Sequence, residues 1–288
     1  MINKLKLSLS MLIFGTIGIF VKYIPLSSGV IAMTRGYIGA AFLLVFMLIT
    51  GKKPNVKAIK NNLLPLVLSG AAIGINWIFL FEAYNYTSVA VATLCYYMQP
   101  VMLIVLTPFV LKEKLSKKKL LCVPVALLGM VMVSGVLSGP QNVSFIGVSM
   151  GLCAAVFYTT VIILNRFLKN INSYDSTLVQ LFMAAVVITP YNIAVGMENV
   201  VELGLKALIL LLVVGFVHTG FAYSMYFGCV QSINTQTVAI YSYIDPAFSI
   251  LLSVFLLGEG MDVWGIIGAV LILGATLASE LFQGKNSK

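Results

Sequence analysis

The sequence predicts an all-α integral membrane protein with ten transmembrane helices arranged as two inverted five-helix repeats. Its composition, the spacing of its apolar segments and an internal repeat support this fold class. Of the 288 residues, 60% are hydrophobic and 9% are charged, whereas a soluble domain is about 45–50% apolar and about 25% charged. So little charge excludes a soluble enzyme or a soluble nucleic-acid-binding domain, despite the net charge of +9.

Ten apolar segments follow one another along the chain and are numbered here in order. They cover residues 5–24, 29–50, 62–84, 87–110, 119–137, 144–167, 174–195, 204–229, 235–257 and 263–281. A helix needs about 20 apolar residues to cross a bilayer, and an open sheet edge cannot be satisfied in lipid. We therefore expect ten transmembrane helices joined by short loops, with no room for a second, aqueous domain.

The basic residues are distributed unevenly between the predicted loops. Most of the 18 lysines and arginines lie in the two tails and in the loops after segments 2, 4 and 6. These regions share one side of the membrane if the chain crosses it ten times. Positive charge resists translocation, so this side is predicted to be the cytoplasm. We expect a multi-pass protein of the cell (plasma) membrane with both termini in the cytoplasm.

The chain contains an internal repeat. When the chain is aligned with itself so that Tyr97 matches Tyr243, segment 4 aligns with segment 9. Gln99 then pairs with Asp245, and Pro100 pairs with Pro246. The predicted repeats are residues 1–137 and 144–283. Each holds five helices, an odd number, so the second crosses the membrane in the opposite sense. Inverted repeats are typical of alternating-access carriers, whose binding site lies between the repeats near mid-membrane.

Four stretches of the sequence resemble the ten-helix EamA-type branch of the drug/metabolite transporter (DMT) superfamily. They read NWIFLFEAYNYTSVAVATLCYYMQPV, LKEKLSKKKLLCVPVALLGMVMVSG, YSYIDP and LLGEGMDVWGIIGAVLILGATLAS. The resemblance covers nearly the whole chain. It implies a central cavity lined mainly by helices 1, 3, 4, 6, 8 and 9, with helices 5 and 10 at the periphery. Members of this superfamily export amino acids, metabolites or toxic compounds, and some import their substrates.

Pro100 and Pro246 lie about halfway along segments 4 and 9. A proline removes a backbone hydrogen bond and clashes with the preceding turn, so a kink is expected in both helices. Because the two prolines are repeat mates at the same depth, we predict a gating role for them. The alternative is that the kinks only shape helix packing.

Aromatic and amide side chains near mid-span are the predicted substrate-binding residues. They are Asn76, Trp77, Tyr96, Tyr97, Gln99, Tyr158, Tyr223 and Tyr243. Tyrosine and tryptophan usually lie at the membrane interface, and at mid-depth their polar atoms need a partner or water. An aqueous cavity supplies both, although hydroxyl groups bonded to neighbouring helices are the alternative.

Ionisable residues inside the membrane are costly unless they face protein or water. The deepest is Asp245, a candidate proton carrier or counter-ion, or else a partner of the kinked backbone. His218, the single histidine, is a second coupling candidate, or alternatively a packing residue. Arg35 and Glu82 either pair with each other or leave Arg35 to bind a substrate carboxylate in a bidentate manner.

We expect a secondary active transporter that exports small amphipathic metabolites such as amino acids by alternating access with proton coupling. Multidrug efflux of cationic or aromatic compounds is the alternative, since aromatic faces and Asp245 suit cations. A passive channel and a membrane-embedded enzyme are further alternatives. An enzyme is disfavoured because the sequence lacks a catalytic constellation.

The expected partners are a small-molecule substrate, the lipid bilayer and protons, with no nucleic acid. No cofactor, metal site or catalytic residue is predicted, since the four cysteines show no CxxC spacing and no GxxxxGK[ST] motif is present. The sequence leaves open whether the protein is a monomer or a homodimer.

Overall fold

The computed structural model describes residues 2–110, 117–135, 137, 144–196, 204–230, 232–233, 238 and 241–283, and every regular element in these ranges is a helix. The helices of segments 1 to 10 are Ile2–Lys22, Ser28–Ile49, Leu63–Tyr86, Val89–Tyr96 with Gln99–Val110, Lys117–Val133, Phe145–Asn165, Ser173–Val195, Gly204–Val213 with Val214–Phe221 and Ala222–Val230, Ile244–Leu257, and Val263–Gln283. A short helix, Val56–Asn61, precedes segment 3. Much of the first turn predicted for segment 9 (235–237, 239 and 240) lies outside the described residues.

Seven of the described helices are long and apolar enough to cross a membrane. Shorter apolar helices, Leu120–Val133, Ile244–Leu257 and Val263–Ser279, correspond to segments 5, 9 and 10. The all-helical prediction therefore holds for the described residues, while a total of ten crossings remains a prediction. Large apolar side chains point away from the bundle, and Phe109 and Phe255 are each 78% exposed. A lipid environment accounts for such exposure, because water would make it costly.

Segments 4 and 9 are both interrupted next to a proline. In segment 4, one helix ends at Tyr96 and the next begins at Gln99. In segment 9, Tyr243 forms a turn before the helix that begins at Ile244. Pro100 and Pro246 thus lie in the first turn of the helices that follow, where a proline fits because its missing N–H has no intrahelical partner.

Segment 8 contains a π-helix at Val214–Phe221. π-helical turns are rare and are frequent at functional sites. Here the extra residue in the turn lets the Thr219 hydroxyl donate a hydrogen bond to the carbonyl oxygen of Val214, five residues earlier, at 3.0 Å. This turn also contains His218, which the sequence analysis singled out.

Close helix packing is clearest between segments 5 and 10. They cross at Gly129 and Gly268, where a Cβ atom added to Gly268 would lie 2.5 Å from the carbonyl oxygen of Gly129. Small residues at such crossings allow two membrane helices to approach closely. Segments 5 and 10 form one apolar cluster with parts of segments 4, 6 and 9, while segments 2, 3 and 7 contribute to a second, larger cluster.

The loops lie at two ends of the helical bundle. At the lysine-rich end, formed by residues 50–62 and 166–172, the Asn62 side chain accepts a hydrogen bond from the backbone N–H of Lys169 at 2.8 Å. The opposite end holds residues 23–27, 87–88 and 258–262, and there Lys22 forms an ion pair with Glu259 at 2.6 Å. The side chains of the basic loop after segment 4 (112, 114 and 117–119) and of the carboxyl tail lie outside the described residues.

Candidate functional site

A central cavity of about 380 Å³ lies between the helices. Ligand pockets commonly measure about 300–1,000 Å³, so its size suits one small molecule. Its aromatic wall includes Trp77, Tyr84, Tyr96, Tyr97, Tyr158 and Tyr223. Among the described lining residues, none comes from segment 5 or segment 10.

A second cavity of about 290 Å³ adjoins the central one. The lining residues that both cavities share are Tyr96, Tyr97, Tyr158, Ser242 and Asp245. The second cavity reaches Ile162, which is one turn before segment 6 ends at the lysine-rich end. The shared residues therefore form a partition between the central cavity and this second cavity, which is called the vestibule here.

Asp245 lies on this partition, in the first turn of its helix. Its Oδ2 atom accepts a hydrogen bond from the Tyr97 hydroxyl at 3.0 Å. Of the described residues that line the two cavities, Asp245 is the sole carboxylate. A proton or a cationic group in either cavity would therefore meet this side chain.

Arg35 is the positive counterpart on the wall of the central cavity, and it is only 4% exposed. Its Nε–H donates to the Thr219 hydroxyl at 3.0 Å, and its Cζ atom lies 4.0 Å from the centroid of the Trp77 ring. The Thr219 proton is already donated to Val214, so the Thr219 oxygen is oriented to accept. The π-helix and the indole ring thus hold the guanidinium in one orientation.

The predicted pairing of Arg35 with Glu82 is not formed. Glu82 instead accepts a hydrogen bond from the Ser28 hydroxyl at 2.7 Å. Ser28 precedes Arg35 by seven residues, which is about 10 Å along a helix. Within the part of the chain that the structure describes, the one ion pair joins Lys22 and Glu259. Arg35 therefore faces the cavity without a neighbouring carboxylate from those residues.

The remaining coupling candidate, His218 of segment 8, packs against segment 1 and is 1% exposed. Its Nε2 atom is 2.7 Å from the Thr16 hydroxyl oxygen, and its Nδ1 atom is 3.3 Å from the carbonyl oxygen of Val213. The Phe20 ring covers it at 4.9 Å between centroids. Neither His218 nor Glu82 is among the described residues that line the two cavities.

The predicted binding residues divide between the two cavities. Asn76, Trp77 and Tyr223 line the central cavity. Gln99, Tyr243 and Pro100 line the vestibule, and Tyr96, Tyr97 and Tyr158 line both. Asn76 also donates a hydrogen bond to the carbonyl oxygen of Ala154 at 2.5 Å, so its amide links segments 3 and 6. Pro246 is buried beside Asp245 and is not a described lining residue.

The sequence analysis missed a polar cluster near the lysine-rich end of the central cavity. The Gln180 side-chain amide donates to the Asn165 side-chain oxygen at 2.6 Å and to the Ser69 hydroxyl at 2.7 Å. Gln180, Asn165 and Thr177 all line the cavity. The sequence contained a signal for this cluster, because Gln180 is a polar side chain inside the apolar segment 7. Segments 2 and 7 thus line the cavity in addition to the six helices that the resemblance implied.

Residues 4–135 and 145–279 each match the description "EamA-like transporter family". The chain belongs to this family. The match covers both predicted repeats and confirms the resemblance to the drug/metabolite transporter superfamily. As an EamA-like transporter, the chain is a multi-pass membrane protein with a small-molecule substrate.

The chain is similar to proteins of bacteria and of an archaeon. The "Uncharacterized transporter YxxF" of Bacillus subtilis (strain 168) is 27% identical over 285 residues, which are 98% of this chain and 90% of the relative. An "Uncharacterized transporter" of Archaeoglobus fulgidus is 24% identical and covers 93% of both chains. One solved crystal structure shares the fold, with a TM-score of 0.67 at 18% identity over 97% of this chain and 98% of the other.

Proposed function

We propose that this EamA-like transporter is a secondary active carrier that exports amino acids or similar small amphipathic metabolites, coupled to protons. The observation that carries the proposal is the pair of opposite charges, Arg35 and Asp245, on the wall of one aromatic cavity. A zwitterion has both complementary charges. Its carboxylate would bind Arg35, and its ammonium group would approach Asp245.

The environment of Arg35 supports a carboxylate ligand. An arginine has five N–H donors in a planar fork that matches two carboxylate oxygens. The Nε–H is bonded to Thr219, and the stacking on Trp77 fixes the plane of the fork. The outer N–H groups are then oriented for a ligand before it binds, which lowers the entropy cost of binding.

The aromatic wall supports an apolar or amphipathic body on the same ligand. The rings of Tyr96 and Tyr158 are 5.3 Å apart between centroids, and those of Phe14 and Tyr223 are 5.2 Å apart. These rings present apolar faces with a polar hydroxyl at one end. A small side chain can therefore lose its water against them while its charged groups stay bonded.

Proton coupling rests on Asp245. A carboxyl group can take up and release a proton, and Asp245 faces both cavities. One side chain could thus meet the substrate in the central cavity and exchange a proton through the vestibule. The positive-inside rule predicts that the lysine-rich end, which the two cavities approach at Asn165 and Ile162, faces the cytoplasm. Substrate would then enter from the cytoplasm, as export requires. Two inverted repeats, residues 1–137 and 144–283, would supply the alternating access.

A reconstitution experiment tests this proposal. The purified protein is reconstituted into liposomes that contain an unlabelled amino acid. Uptake of the labelled amino acid is then followed with and without a pH gradient. Saturable counterflow of amino acids that responds to the gradient is the expected result, with protein-free liposomes as the control. Flux without saturation or counterflow would show a channel, and counterflow confined to another class of solute would overturn the substrate.

Efflux of cationic aromatic compounds is a second candidate, and one observation favours it. Asp245 is the sole carboxylate among the described cavity residues, and it lies beside the rings of Tyr96, Tyr97 and Tyr158. Rings beside a carboxylate attract organic cations through cation–π and charge interactions. Cationic dyes in the same liposome assay separate the two candidates.

A further inference from the structure

A polar ladder joins segments 4 and 9 between the central cavity and the opposite end of the bundle. Its contacts are Tyr97 to Asp245 at 3.0 Å, Thr93 to Ser249 at 3.3 Å, and Val89 with Ser253 through Glu259. Each contact lies four residues before the previous one in segment 4 and four residues after it in segment 9. Residues four apart share one face of a helix, so the ladder runs along a single antiparallel contact.

Glu259 closes the ladder by joining three helices. Its Oε1 atom accepts from the Lys22 ammonium group at 2.6 Å. Its Oε2 atom accepts from the backbone N–H of Val89 at 2.8 Å and from the Ser253 hydroxyl at 2.5 Å. Val89 begins the first helix of segment 4, where backbone N–H groups lack intrahelical partners and a negative charge is stabilising.

Gly258 sets the position of this carboxylate. It ends the helix of segment 9 with a φ of 65°, a left-handed conformation that glycine adopts without steric cost. The chain then turns back, so that Glu259 reaches the end of its own helix and the start of segment 4. The Glu259 side chain is only 15% exposed, and partial burial protects its ion pair from screening by salt.

We propose that Glu259 keeps the central cavity closed at the opposite end by its bonds to Lys22, Val89 and Ser253, and we call these bonds the latch. Thr93 and Ser249 line the cavity, and the contacts of Glu259 lie one helical turn beyond them. Segment 1, which ends at Lys22, also lines the cavity through Met11. Opening this end requires these helices to separate, which breaks the bonds of Glu259. The inference rests on the transport function and is independent of the proposed substrate.

Asp262 provides a matched control in the same loop. Its Oδ1 atom accepts from the backbone N–H of Gly265 at 2.7 Å, in the first turn of segment 10. Segment 10 contributes none of the described cavity residues. A change at Asp262 therefore alters a carboxylate cap in the same loop without touching the ladder.

The test measures access to the cavity. Leu80 lines the cavity on segment 3, so Leu80→Cys is the reporter in a background without Cys95, Cys122, Cys153 and Cys229. A membrane-impermeant maleimide is added, without substrate, to intact cells and to inverted vesicles. The two preparations report labelling from the two ends of the bundle separately. We expect Glu259→Gln to speed labelling from the opposite end by roughly two- to fivefold, the effect of weakening a partly exposed ion pair, and Asp262→Asn to leave it unchanged.

Two further variants keep the test decisive if Glu259→Gln folds poorly. Lys22→Met removes one bond of the latch and should also speed labelling, whereas Lys22→Arg keeps a cation beside Glu259 and should stay close to the parental rate. Labelling rates that match the parental reporter in Glu259→Gln and Lys22→Met would overturn the latch. Normal gating without amino acid transport would overturn the substrate and leave the latch standing.

Discussion

The hydroxyl of Tyr97 donates a hydrogen bond to Oδ2 of Asp245 at 3.0 Å across the interface of segments 4 and 9. These two residues are not repeat mates, because the repeat pairs Tyr97 with Tyr243 and Asp245 with Gln99. The carboxyl group therefore occurs in only one of the two repeats. Gln99, its neutral mate, is a lining residue of the vestibule but not of the central cavity. The two predicted repeats therefore carry different side chains at this matched position.

Asp245→Asn should flatten the pH dependence of amino acid counterflow. Asparagine keeps the size and can still accept from Tyr97, but it cannot take up or release a proton. Transport rates measured in acidic and alkaline buffers should then become similar, while uptake driven by a pH gradient is lost. If Asp245 instead binds organic cations, the same variant should lose only the transport of cationic dyes.

Asp262→Asn serves as the control for this experiment, since it also neutralises one carboxylate and lies outside both cavities. A variant Asp245→Asn that keeps the parental pH profile for every solute would show that Asp245 has a structural role. Proton coupling would then have to be sought elsewhere in the chain.

Arg35→Lys should weaken the binding of amino acids by roughly 10- to 100-fold, the effect of losing a charged hydrogen bond. Lysine keeps the charge but has no planar fork, so it can neither stack on Trp77 in the same way nor replace the Nε–H bond to Thr219. Dissociation constants from calorimetry or thermal shift measure the change. Methyl esters of the same amino acids should bind both proteins equally, because they lack the carboxylate. Equal affinities of Arg35→Lys and the parent for the free acids would contradict a carboxylate site at Arg35.

Much of the helical layout could be predicted because lipid permits few backbone conformations. Segment 3, predicted at 62–84, is the helix Leu63–Tyr86, and segment 7, predicted at 174–195, is Ser173–Val195. The π-helix at Val214–Phe221 was not predicted. Its apolar sequence does not differ from that of an α-helix, and its contacts with segment 2, such as that of Thr219 with Arg35, join residues far apart in the sequence.

Parts of the candidate site could be predicted where the type of a residue and its depth in the membrane were enough to indicate a cavity. Tyrosines at mid-depth pointed to a cavity without knowledge of their neighbours. The contacts of Gln180 and Glu259 could not be predicted, because each side chain bonds to residues far away in the sequence. A pair of Arg35 and Glu82 was expected because both lie in the outer third of their predicted helices. Glu82 instead bonds to Ser28, so a similar depth in the membrane does not determine which side chains meet.

Thr219→Val should lower the thermal stability and weaken amino acid binding together. Valine has nearly the same shape but no hydroxyl, so the buried Nε–H of Arg35 loses its acceptor, at a cost of about 1–3 kcal/mol. The guanidinium then loses one of the contacts that fix its orientation. Thr219→Ser keeps the hydroxyl and should retain most of both properties. Equal melting temperatures and affinities for the two variants would show that the hydrogen bond does not position Arg35.

The number of crossings can be tested with topology reporters. A fluorescent protein should fluoresce when fused after Lys53 or at the carboxyl terminus, because both positions are predicted to be cytoplasmic. Alkaline phosphatase, which folds outside the cytoplasm, should be active after Gly196. The fusions at the carboxyl terminus are the most informative, since an odd number of crossings would put this terminus outside the cytoplasm. Active phosphatase there, with a fluorescent fusion after Lys53, would exclude ten spans.

Gly268→Ala should destabilise the protein, although it adds a single methyl group. The new Cβ would lie 2.5 Å from the carbonyl oxygen of Gly129 and 2.7 Å from a methyl group of Val133, and backbone at a helix crossing cannot move aside easily. Overpacking of this kind costs about 1–3 kcal/mol, which should lower the melting temperature by several degrees. Gly274→Ala, in the same helix, has no atom within 4 Å of the added Cβ and should leave the melting temperature unchanged or higher, because alanine favours a helix. Equal melting temperatures for the two variants would mean that segments 5 and 10 do not cross at Gly129 and Gly268.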